Sequence, residues 1–167
     1  MIITDEKLLR VKCEDVLPEE VGGLIDILER ELKLAGNGIG LAAIQVGIPK
    51  NIAIVRINDK YSINLVNCKI KKTFDPEIFE NEGCLSFPGK FVKTIRYNEI
   101  YVVENLIEPN EFIARGLPAV VIQHELNHLD GILMPDLEIK EQIKKKVRPN
   151  DICSCNSGKK AKKCCFK

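Results

Sequence analysis

Both histidines of the chain fall within one short motif, His124-Glu125-Leu126-Asn127-His128. On an α-helix, residues four apart lie on the same face, one turn above each other. Two imidazoles placed in this way can take adjacent corners of a tetrahedral metal site. The carboxylate of Glu125 would then reach a metal-bound water rather than the metal. The alternative is an ordinary amphipathic helix whose two histidines face solvent.

A hydrolytic metal site needs a third protein ligand and an open fourth position. Downstream, Glu138 and Glu141 are candidates, as in a zinc protease, but they lie in a basic segment with little chain left to build a peptide-binding cleft. Upstream, Cys84 follows Glu82 and Gly83. The glycine would let the backbone come close to a metal, and a thiolate is a strong ligand. Taken alone, a cysteine is more often a buried apolar residue.

A third segment, Gly38–Gln45, reads Gly-Ile-Gly-Leu-Ala-Ala-Ile-Gln. Its small residues would permit the backbone to approach a ligand closely, and the amide of Gln45 can donate a hydrogen bond. The alternative is that the glycines only end the preceding helix and that Gln45 is solvated. No Lys-Ser or Lys-Thr pair follows, so the segment is not a phosphate-binding loop.

The composition is that of one globular domain. The chain has 167 residues, of which 45% are hydrophobic and 29% charged. No apolar run approaches the ~20 residues that cross a bilayer, so we expect no membrane contact. The beginning of the chain is acidic and lacks the apolar stretch of a secretory signal, which predicts a cytoplasmic protein.

Hydrophobic periodicity predicts an α+β fold. Two helices are expected over Pro18–Ala35 and Pro118–Asp130, and a third, basic one over Asp136–Val147. Between the first two lie short β-rich runs. The strands are predicted at Ile52–Ile57, Ile63–Ile70, Phe91–Arg96, Glu99–Val103 and Glu111–Ala114.

Taken together, the three motifs resemble those of one known family. GxGLAAxQ at Gly38–Gln45, EGCLS at Glu82–Ser86 and HExxH at His124–His128, in this order, are the signature of peptide deformylases. The resemblance covers roughly residues 1–137. It implies a catalytic domain over that range, in which small antiparallel β-sheets pack around a central HExxH helix.

The resemblance also implies a mechanism. Cys84, His124 and His128 would bind one divalent metal, with water as the fourth ligand. Iron(II) is the usual ion of the family, and zinc, nickel or cobalt can replace it. Glu125 would act as general base and then as general acid. The Gln45 amide and the Leu85 backbone N–H would stabilise the charge that develops on the formyl oxygen.

By the same resemblance, the substrate is the N-formylmethionyl end of a nascent peptide, processed during protein biosynthesis. The methionine side chain needs an apolar pocket beside the metal. The residues expected to form it and the glycine loop next to it are Gly38, Ile39, Gly40, Ile44 and Val120. The alternative for these apolar residues is that they are simply part of the core.

Two further features concern the surroundings of the ligands. Glu82 and Arg96 are expected to form an ion pair that holds the cysteine loop in place; the alternative is two separate solvated charges. Most members of the family have Asp where this chain has Asn127, which puts any ion pair at that position in doubt. A catalytically inert, deformylase-like binding protein is the main competing hypothesis, and the intact Glu125 argues against it.

The C-terminal end has a different character. Residues 138–167 contain ten Lys or Arg and three Asp or Glu, a net charge of +7, whereas residues 1–137 contain fifteen and twenty-one, a net charge of −6. Four of the seven cysteines lie here, in two close pairs that can close a tetrahedral zinc site. They are Cys153, Cys155, Cys164 and Cys165.

The spacing of these cysteines and the lysines around them resemble the SEC-C motif, a small structural zinc module, over residues 148–167. A basic linker helix over residues 138–147 would join it to the catalytic domain. The alternative is a disordered basic tail with incidental cysteines. A basic tail on a co-translational enzyme suggests contact with the ribosome. We otherwise expect a monomer.

Overall fold

Two antiparallel sheets enclose the helix that carries the HExxH motif. The computed structural model describes residues 1–58, 61–106, 109–140 and 159–163. One sheet has the strand order β1-β2-β3 and the other β4-β5-β6. The strands are β1 (Gly40–Ala42), β2 (Ile52–Asn58), β3 (Tyr61–Val66), β4 (Cys68–Gly83), β5 (Phe91–Asn105) and β6 (Pro109–Arg115), and the α-helices are α1 (Glu6–Leu9), α2 (Val21–Ala35) and α3 (Leu117–Leu129). This α+β architecture agrees with the prediction.

Helix α3 is the centre of the fold. All of its residues except Leu117, Pro118 and Asn127 are buried. Its polar Gln123 anchors it to β5, because the side-chain oxygen accepts from Tyr97 N at 3.0 Å and Nε2 donates to Tyr97 O at 2.8 Å. A helix buried on all sides and fixed in this way holds its side chains rigidly.

The first predicted helix is present with a different beginning. Pro18–Glu20 form a 3₁₀ turn, and the α-helix proper begins at Val21. Leu28 and Leu32 bury the inner face of α2 against the first sheet. The helix ends at Gly36, whose φ of 79° is in the left-handed region that glycine adopts without strain.

The strands differ from the prediction in several places. Strand β1 and the part of β4 beyond Ile70 were not predicted. The expected strand Ile63–Ile70 is divided at Asn67, whose φ of 51° breaks the extended backbone between β3 and β4. The Asn67 side chain stabilises this turn by accepting from Val16 N at 2.8 Å. The two predicted runs Phe91–Arg96 and Glu99–Val103 belong to one continuous strand, β5.

The predicted helix over Asp136–Val147 does not begin where the sequence pattern placed it. Met134–Leu137 form a 3₁₀ turn with Pro135 near its beginning, and Glu138 is extended. Ile139 N then donates to Lys93 O at 2.7 Å, which keeps the chain along β5 instead of in a helix. Residues 141–147 and the four cysteines of the zinc-motif prediction lie outside the described residues.

Among the described residues, no helix combines the length and the hydropathy that crossing a membrane requires. Cys13 and Cys68 are free and buried in the core around α3.

Candidate metal centre

Three of the predicted ligands converge at one point. The ligand atoms of Cys84, His124 and His128 all lie within 4.8 Å of one another, and this is the one such group found among the residues that the structure describes. Cys84 Sγ lies 3.2 Å from His128 Nε2. The two imidazoles, one turn apart on α3, have their ring centres 4.9 Å apart.

Glu138, the downstream alternative for the third ligand, is exposed beyond the 3₁₀ turn and does not belong to this group. One thiolate and two imidazoles with an open side are a donor set that suits zinc or iron(II). The residues present therefore fit a catalytic divalent metal.

Glu82 fixes the orientation of the first histidine. Its Oε1 lies 2.7 Å from His124 Nδ1, which leaves the other ring nitrogen, Nε2, for a metal. Arg96 donates to both carboxylate oxygens, from Nε at 2.7 Å and from Nη2 at 2.5 Å. Glu82 and Arg96 are 3% and 4% exposed. The predicted ion pair is present and is buried, unlike the solvated alternative.

The departure from the family pattern at Asn127 also has a structural account. Its side-chain Oδ1 accepts from Arg96 Nη1 at 2.6 Å. Arg96 therefore keeps a partner at this position, although the partner is a neutral amide and not a carboxylate. The hydrogen bond replaces the ion pair that the sequence had put in doubt.

Glu125 lies beside the ligands, against the glycine loop. A Cβ atom added to Gly40 would lie 2.3 Å from Glu125 Oε1, so only glycine leaves space for the carboxylate there. Glu125 Oε2 is buried without a hydrogen-bond partner among the described residues, as is His128 Nδ1. An unpartnered buried carboxylate oxygen is ready to accept a proton from a small polar molecule.

Gln45 is held with its amide donors facing the cysteine. Its Oε1 accepts from Ala42 N at 2.9 Å, which places the NH₂ group on the opposite side. Gln45 Nε2 lies 3.6 Å from Cys84 Sγ and 3.1 Å from Ser86 Oγ. The side chain is 2% exposed, so these donors act in a dry environment.

The charges around the three candidate ligands favour a positive charge next to Cys84. Burial lowers the pKa of His124, but hydrogen bonds to Cys84 and Glu82 outweigh it and raise the pKa to about 10, so that without a metal this imidazole carries a proton that a bound metal would displace. Burial lowers the pKa of His128 to about 3, so this imidazole is in the neutral form that a metal needs. Burial raises the pKa of Glu125 to about 7, which suits a group that takes up and returns a proton.

The Glu82 carboxylate remains charged under these conditions. Burial opposes its ionisation, but Arg96 and His124 outweigh burial and hold the pKa of Glu82 well below its usual range. A permanently ionised carboxylate behind His124 makes that imidazole a better electron donor to a metal.

A cavity of about 540 Å³ opens beside Cys84 and His124. Ile39 and Val120 line it, as predicted, together with the loop glycines Gly38 and Gly40. Ile44 does not line it; it is 3% exposed and packs in the core around α3. The prediction for Ile44 was wrong, because this residue, in the 3₁₀ turn Ala43–Val46, packs against the core residues of α3 instead.

Sequence reasoning missed two supporting residues. Thr94 Oγ1 donates to Glu82 Oε2 at 2.5 Å, and Ser86 accepts from Gln45. Thr94 stands two residues before Arg96 on a strand, so both side chains face the same side of the sheet. That alternation was the signal that could have identified it; nothing in the sequence points to Ser86 beyond its place in the EGCLS motif.

Comparisons with known proteins agree with this geometry. A family model described as polypeptide deformylase matches residues 1–144. The chain is 35% identical over 146 residues to a peptide deformylase of Aquifex aeolicus (strain VF5), an alignment that covers 81% of this chain and 85% of that protein.

Solved structures give the same result. The crystal structure of peptide deformylase from Thermotoga maritima is similar with a TM-score of 0.75 at 30% identity, covering 84% of this chain and 97% of that one. A class I type b peptide deformylase from Acinetobacter baumannii, crystallised with Met-Ala-Ser bound, has a TM-score of 0.73 at 29% identity, covering 82% of this chain and 96% of that one.

Proposed function

The chain belongs to the peptide deformylase family, a family of metallohydrolases that remove the formyl group from the N-terminal methionine of nascent polypeptides, and from this premise we propose a role for each residue of the metal centre. Cys84, His124 and His128 hold one divalent metal. The observation that carries this assignment is the convergence of their ligand atoms within 4.8 Å. When bound, the metal supplies Lewis acidity and a nucleophilic water at neutral pH.

The identity of the ion is a separate part of the proposal. Iron(II) is the ion we expect, and zinc, nickel or cobalt would also be accepted. A thiolate with two imidazoles discriminates weakly among these ions, since their affinities follow the general order for divalent metals more than the site geometry.

Glu125 is the general base and then the general acid. Its unpartnered Oε2 accepts the proton of the attacking water, and the carboxyl group later returns that proton to the leaving amine nitrogen. Gly40 keeps the carboxylate in place by leaving room for Oε1. Both steps use one side chain, which is buried.

Gln45 and Leu85 stabilise the negative charge on the formyl oxygen. The amide donors of Gln45 face Cys84 and are fixed by the contact of Oε1 with Ala42 N. The Leu85 backbone N–H follows directly after the cysteine and supplies a second donor. Donors that are already oriented act strongly in a dry site.

The cavity receives the N-terminal methionine. Ile39 and Val120 provide apolar walls, and Gly38 and Gly40 let the substrate backbone approach the loop. The Met-Ala-Ser bound to the Acinetobacter baumannii relative is the deformylated form of the corresponding formyl peptide. N-formyl-Met-Ala-Ser is therefore a suitable test substrate for this chain.

The ligand assignment can be tested with two cysteine variants. Cys84→Ala should lose the catalytic metal and the release of formate from N-formyl-Met-Ala-Ser. Cys13→Ala is a matched control, since Cys13 is also free and buried but lies outside the centre. Retention of the metal by Cys84→Ala would show that another residue supplies the third ligand.

We also infer a structural zinc in the C-terminal tail, held by Cys153, Cys155, Cys164 and Cys165 in an SEC-C motif over residues 148–167. The support is the pairing of the cysteines in the sequence and the preference of zinc for four thiolates. The catalytic domain would span residues 1–137, with residues 138–147 as a basic linker. Replacing Cys164 and Cys165 by Ser should lower the zinc content by one equivalent and leave formate release intact.

The net charge of +7 in residues 138–167 supports ribosome contact by this tail. The enzyme would act as a cytoplasmic monomer close to emerging nascent chains. Electrostatic binding to ribosomal RNA weakens steeply with salt. Co-sedimentation with ribosomes at low salt should therefore be lower for a protein that lacks residues 138–167 than for the full chain. Equal co-sedimentation of the two proteins would refute the tail as the contact.

A further inference from the structure

Arg96 lies between two side chains that differ in charge. Its Nε and Nη2 donate to the carboxylate of Glu82, at 2.7 and 2.5 Å, and its Nη1 donates to the amide oxygen of Asn127 at 2.6 Å. The guanidinium therefore contacts one carboxylate and one neutral amide. We call Glu82, Arg96 and Asn127 the support group. Its net charge is zero, because the amide carries no charge.

The support group contacts a candidate metal ligand directly. Glu82 Oε1 lies 2.7 Å from His124 Nδ1. Glu82 and Arg96 are 3% and 4% exposed, so water and salt screen their charges only weakly. A change of charge within the support group therefore acts on His124 and on any cation that this imidazole binds.

Asn127 is the accessible member of the support group. It is the one residue of α3 between Ala119 and Leu129 that is not buried. It lines a second cavity of about 670 Å³, which shares no lining residue with the cavity beside Cys84 and His124. The charged residues of this second cavity have both signs and are Lys12, Asp15, Lys69 and Asp130. Position 127 can therefore hold a carboxylate without burying it in an apolar environment.

We propose that Asn127 is a positioning residue that sets the affinity of the catalytic site for its metal, through Arg96 and Glu82. As a neutral partner of Arg96, it leaves the support group uncharged, so the metal is held less tightly than it would be with a carboxylate at this position. A carboxylate would give the support group a net charge of about −1, which attracts a divalent cation. The proposal rests on the metal centre of the proposed function and adds a determinant of its metal affinity.

The test is the dissociation constant of nickel(II), measured on the full-length protein in competition with a chelator. Asn127→Asp should bind nickel(II) about tenfold more tightly than the wild type, because the new carboxylate adds a negative charge behind His124. Asn127→Leu should bind it about tenfold more weakly, because Arg96 then lacks the oxygen that faces Nη1. Structural damage can weaken binding but cannot tighten it. An Asn127→Asp protein that binds nickel(II) no more tightly than the wild type would overturn the proposal.

A similar group of side chains elsewhere in the fold provides the matched control. Arg56 donates from Nε to Glu29 at 2.7 Å and from Nη2 to Asn64 Oδ1 at 2.5 Å. None of these three residues lines either cavity. Asn64→Asp therefore adds the same charge next to an arginine, but in the other sheet, and should leave the dissociation constant unchanged. Equal tightening in Asn64→Asp would show that the net charge of the protein sets the affinity, and would also overturn the proposal.

The two variants of Asn127 test the proposal independently. If Asn127→Asp did not fold, an unchanged dissociation constant in Asn127→Leu would be enough to refute it. The C-terminal cysteines are the same in all of these proteins, so any metal that they bind cancels in the comparison. Failure of the proposed function is distinguishable, because the wild-type enzyme would then release no formate, whereas the dissociation constants do not depend on turnover.

Discussion

Glu82 links three parts of the metal centre at a single carboxylate. One oxygen orients His124, and the two together accept three further hydrogen bonds from Arg96 and Thr94. A buried carboxylate is costly unless it is fully hydrogen-bonded, and here it is. The charge of Glu82 is thereby kept close to His124, where it would assist the binding of a metal.

Arg96→Ala should therefore weaken metal binding and turnover, each by about 10- to 100-fold, because it leaves the Glu82 carboxylate without its cation. Metal content after dialysis against a chelator and formate release are the measurements. Arg96→Lys should give an intermediate loss, since lysine retains the charge but not the two-pronged contact.

The matched control for this prediction is Arg115→Ala. Arg115 also pairs with a glutamate of the same sheet, Glu99, but its side chain is 65% exposed. Metal content and turnover of this variant should equal those of the wild type. Unchanged metal content in Arg96→Ala would contradict the role assigned to the buried pair.

Gly40→Ala should reduce kcat by about 100-fold, because the added methyl group must displace the Glu125 carboxylate. The nearest atom, Glu125 Oε1, would be 2.3 Å from the new Cβ, and Val121 Cγ1 lies at 3.0 Å on the same side. The metal content should stay normal, because Gly40 contacts none of the three ligands. A fully active Gly40→Ala enzyme would argue against Glu125 as the base.

At the scale of single residues, the sequence was enough to predict the three candidate metal ligands. It was not enough to predict which side chains hold them in place through hydrogen bonds. The HExxH spacing and the EGCLS motif identified the three donor residues, since spacing on a helix dictates proximity. The hydrogen bond between Arg96 and Asn127 depends on how β5 packs against α3, which no local pattern encodes. That of Thr94 to Glu82 depends on how β5 pairs with β4, and strand alternation shows only which side of the sheet Thr94 faces. Ile44 was misassigned for a similar reason, because its burial in the core depends on tertiary packing.

Some helices and strands of this fold are predicted by a local sequence pattern, and others are not. The helices α2 and α3 were predicted almost to their ends from periodicity and from flanking Pro and Gly. The long strand β4 was not recognised as one element, because Asp75 and Pro76 interrupt its pattern. Asp75 has a φ of 52°, and pairing with β5 continues on both sides of it. Pairing with β5 therefore keeps β4 extended where its own sequence pattern does not predict a strand.

Gly23→Ala should stabilise the protein by about 0.5–1 kcal/mol, since Gly23 lies within α2 and an added Cβ meets nothing within 4 Å. Gly36→Ala is the opposing control. That glycine has a φ of 79°, so its replacement should lower the free energy of unfolding. Urea unfolding of both variants and the wild type measures the two changes in the free energy of unfolding. A Gly23→Ala protein less stable than the wild type would show that the backbone at Gly23 is not that of a regular α-helix.

At the scale of the whole molecule, an ion pair between Arg10 and Asp136 joins the N-terminal segment to the residues that follow α3. Arg10 donates to both carboxylate oxygens, from Nη1 at 2.7 Å and from Nη2 at 2.9 Å. The two residues are 126 positions apart. The contact therefore holds the residues that follow α3 against the N-terminal segment.

The ion pair between Arg10 and Asp136 predicts a pH-dependent contribution to the stability of the folded protein. The hydrogen bonds from Arg10 lower the pKa of Asp136 below its ordinary value of 3.8. A carboxyl group whose pKa is lower in the folded state stabilises that state above the unfolded pKa and loses the effect as pH falls through the folded value. Asp136→Asn should therefore be less stable than the wild type at about pH 6, with the difference shrinking below about pH 3.8.

Urea unfolding of the two proteins across that range is the measurement. A difference in the free energy of unfolding that is independent of pH would mean that packing, and not the charge of Asp136, accounts for the effect.

The measurement that tests the central claim most directly is formate release from N-formyl-Met-Ala-Ser by Glu125→Gln beside the wild type, with metal content determined on both. Glutamine has the shape of glutamate but cannot accept the proton. The account predicts equal metal content and a loss of turnover of about 10²- to 10⁴-fold. Wild-type turnover by the metal-loaded variant would contradict it, since the proton would then be handled by another group.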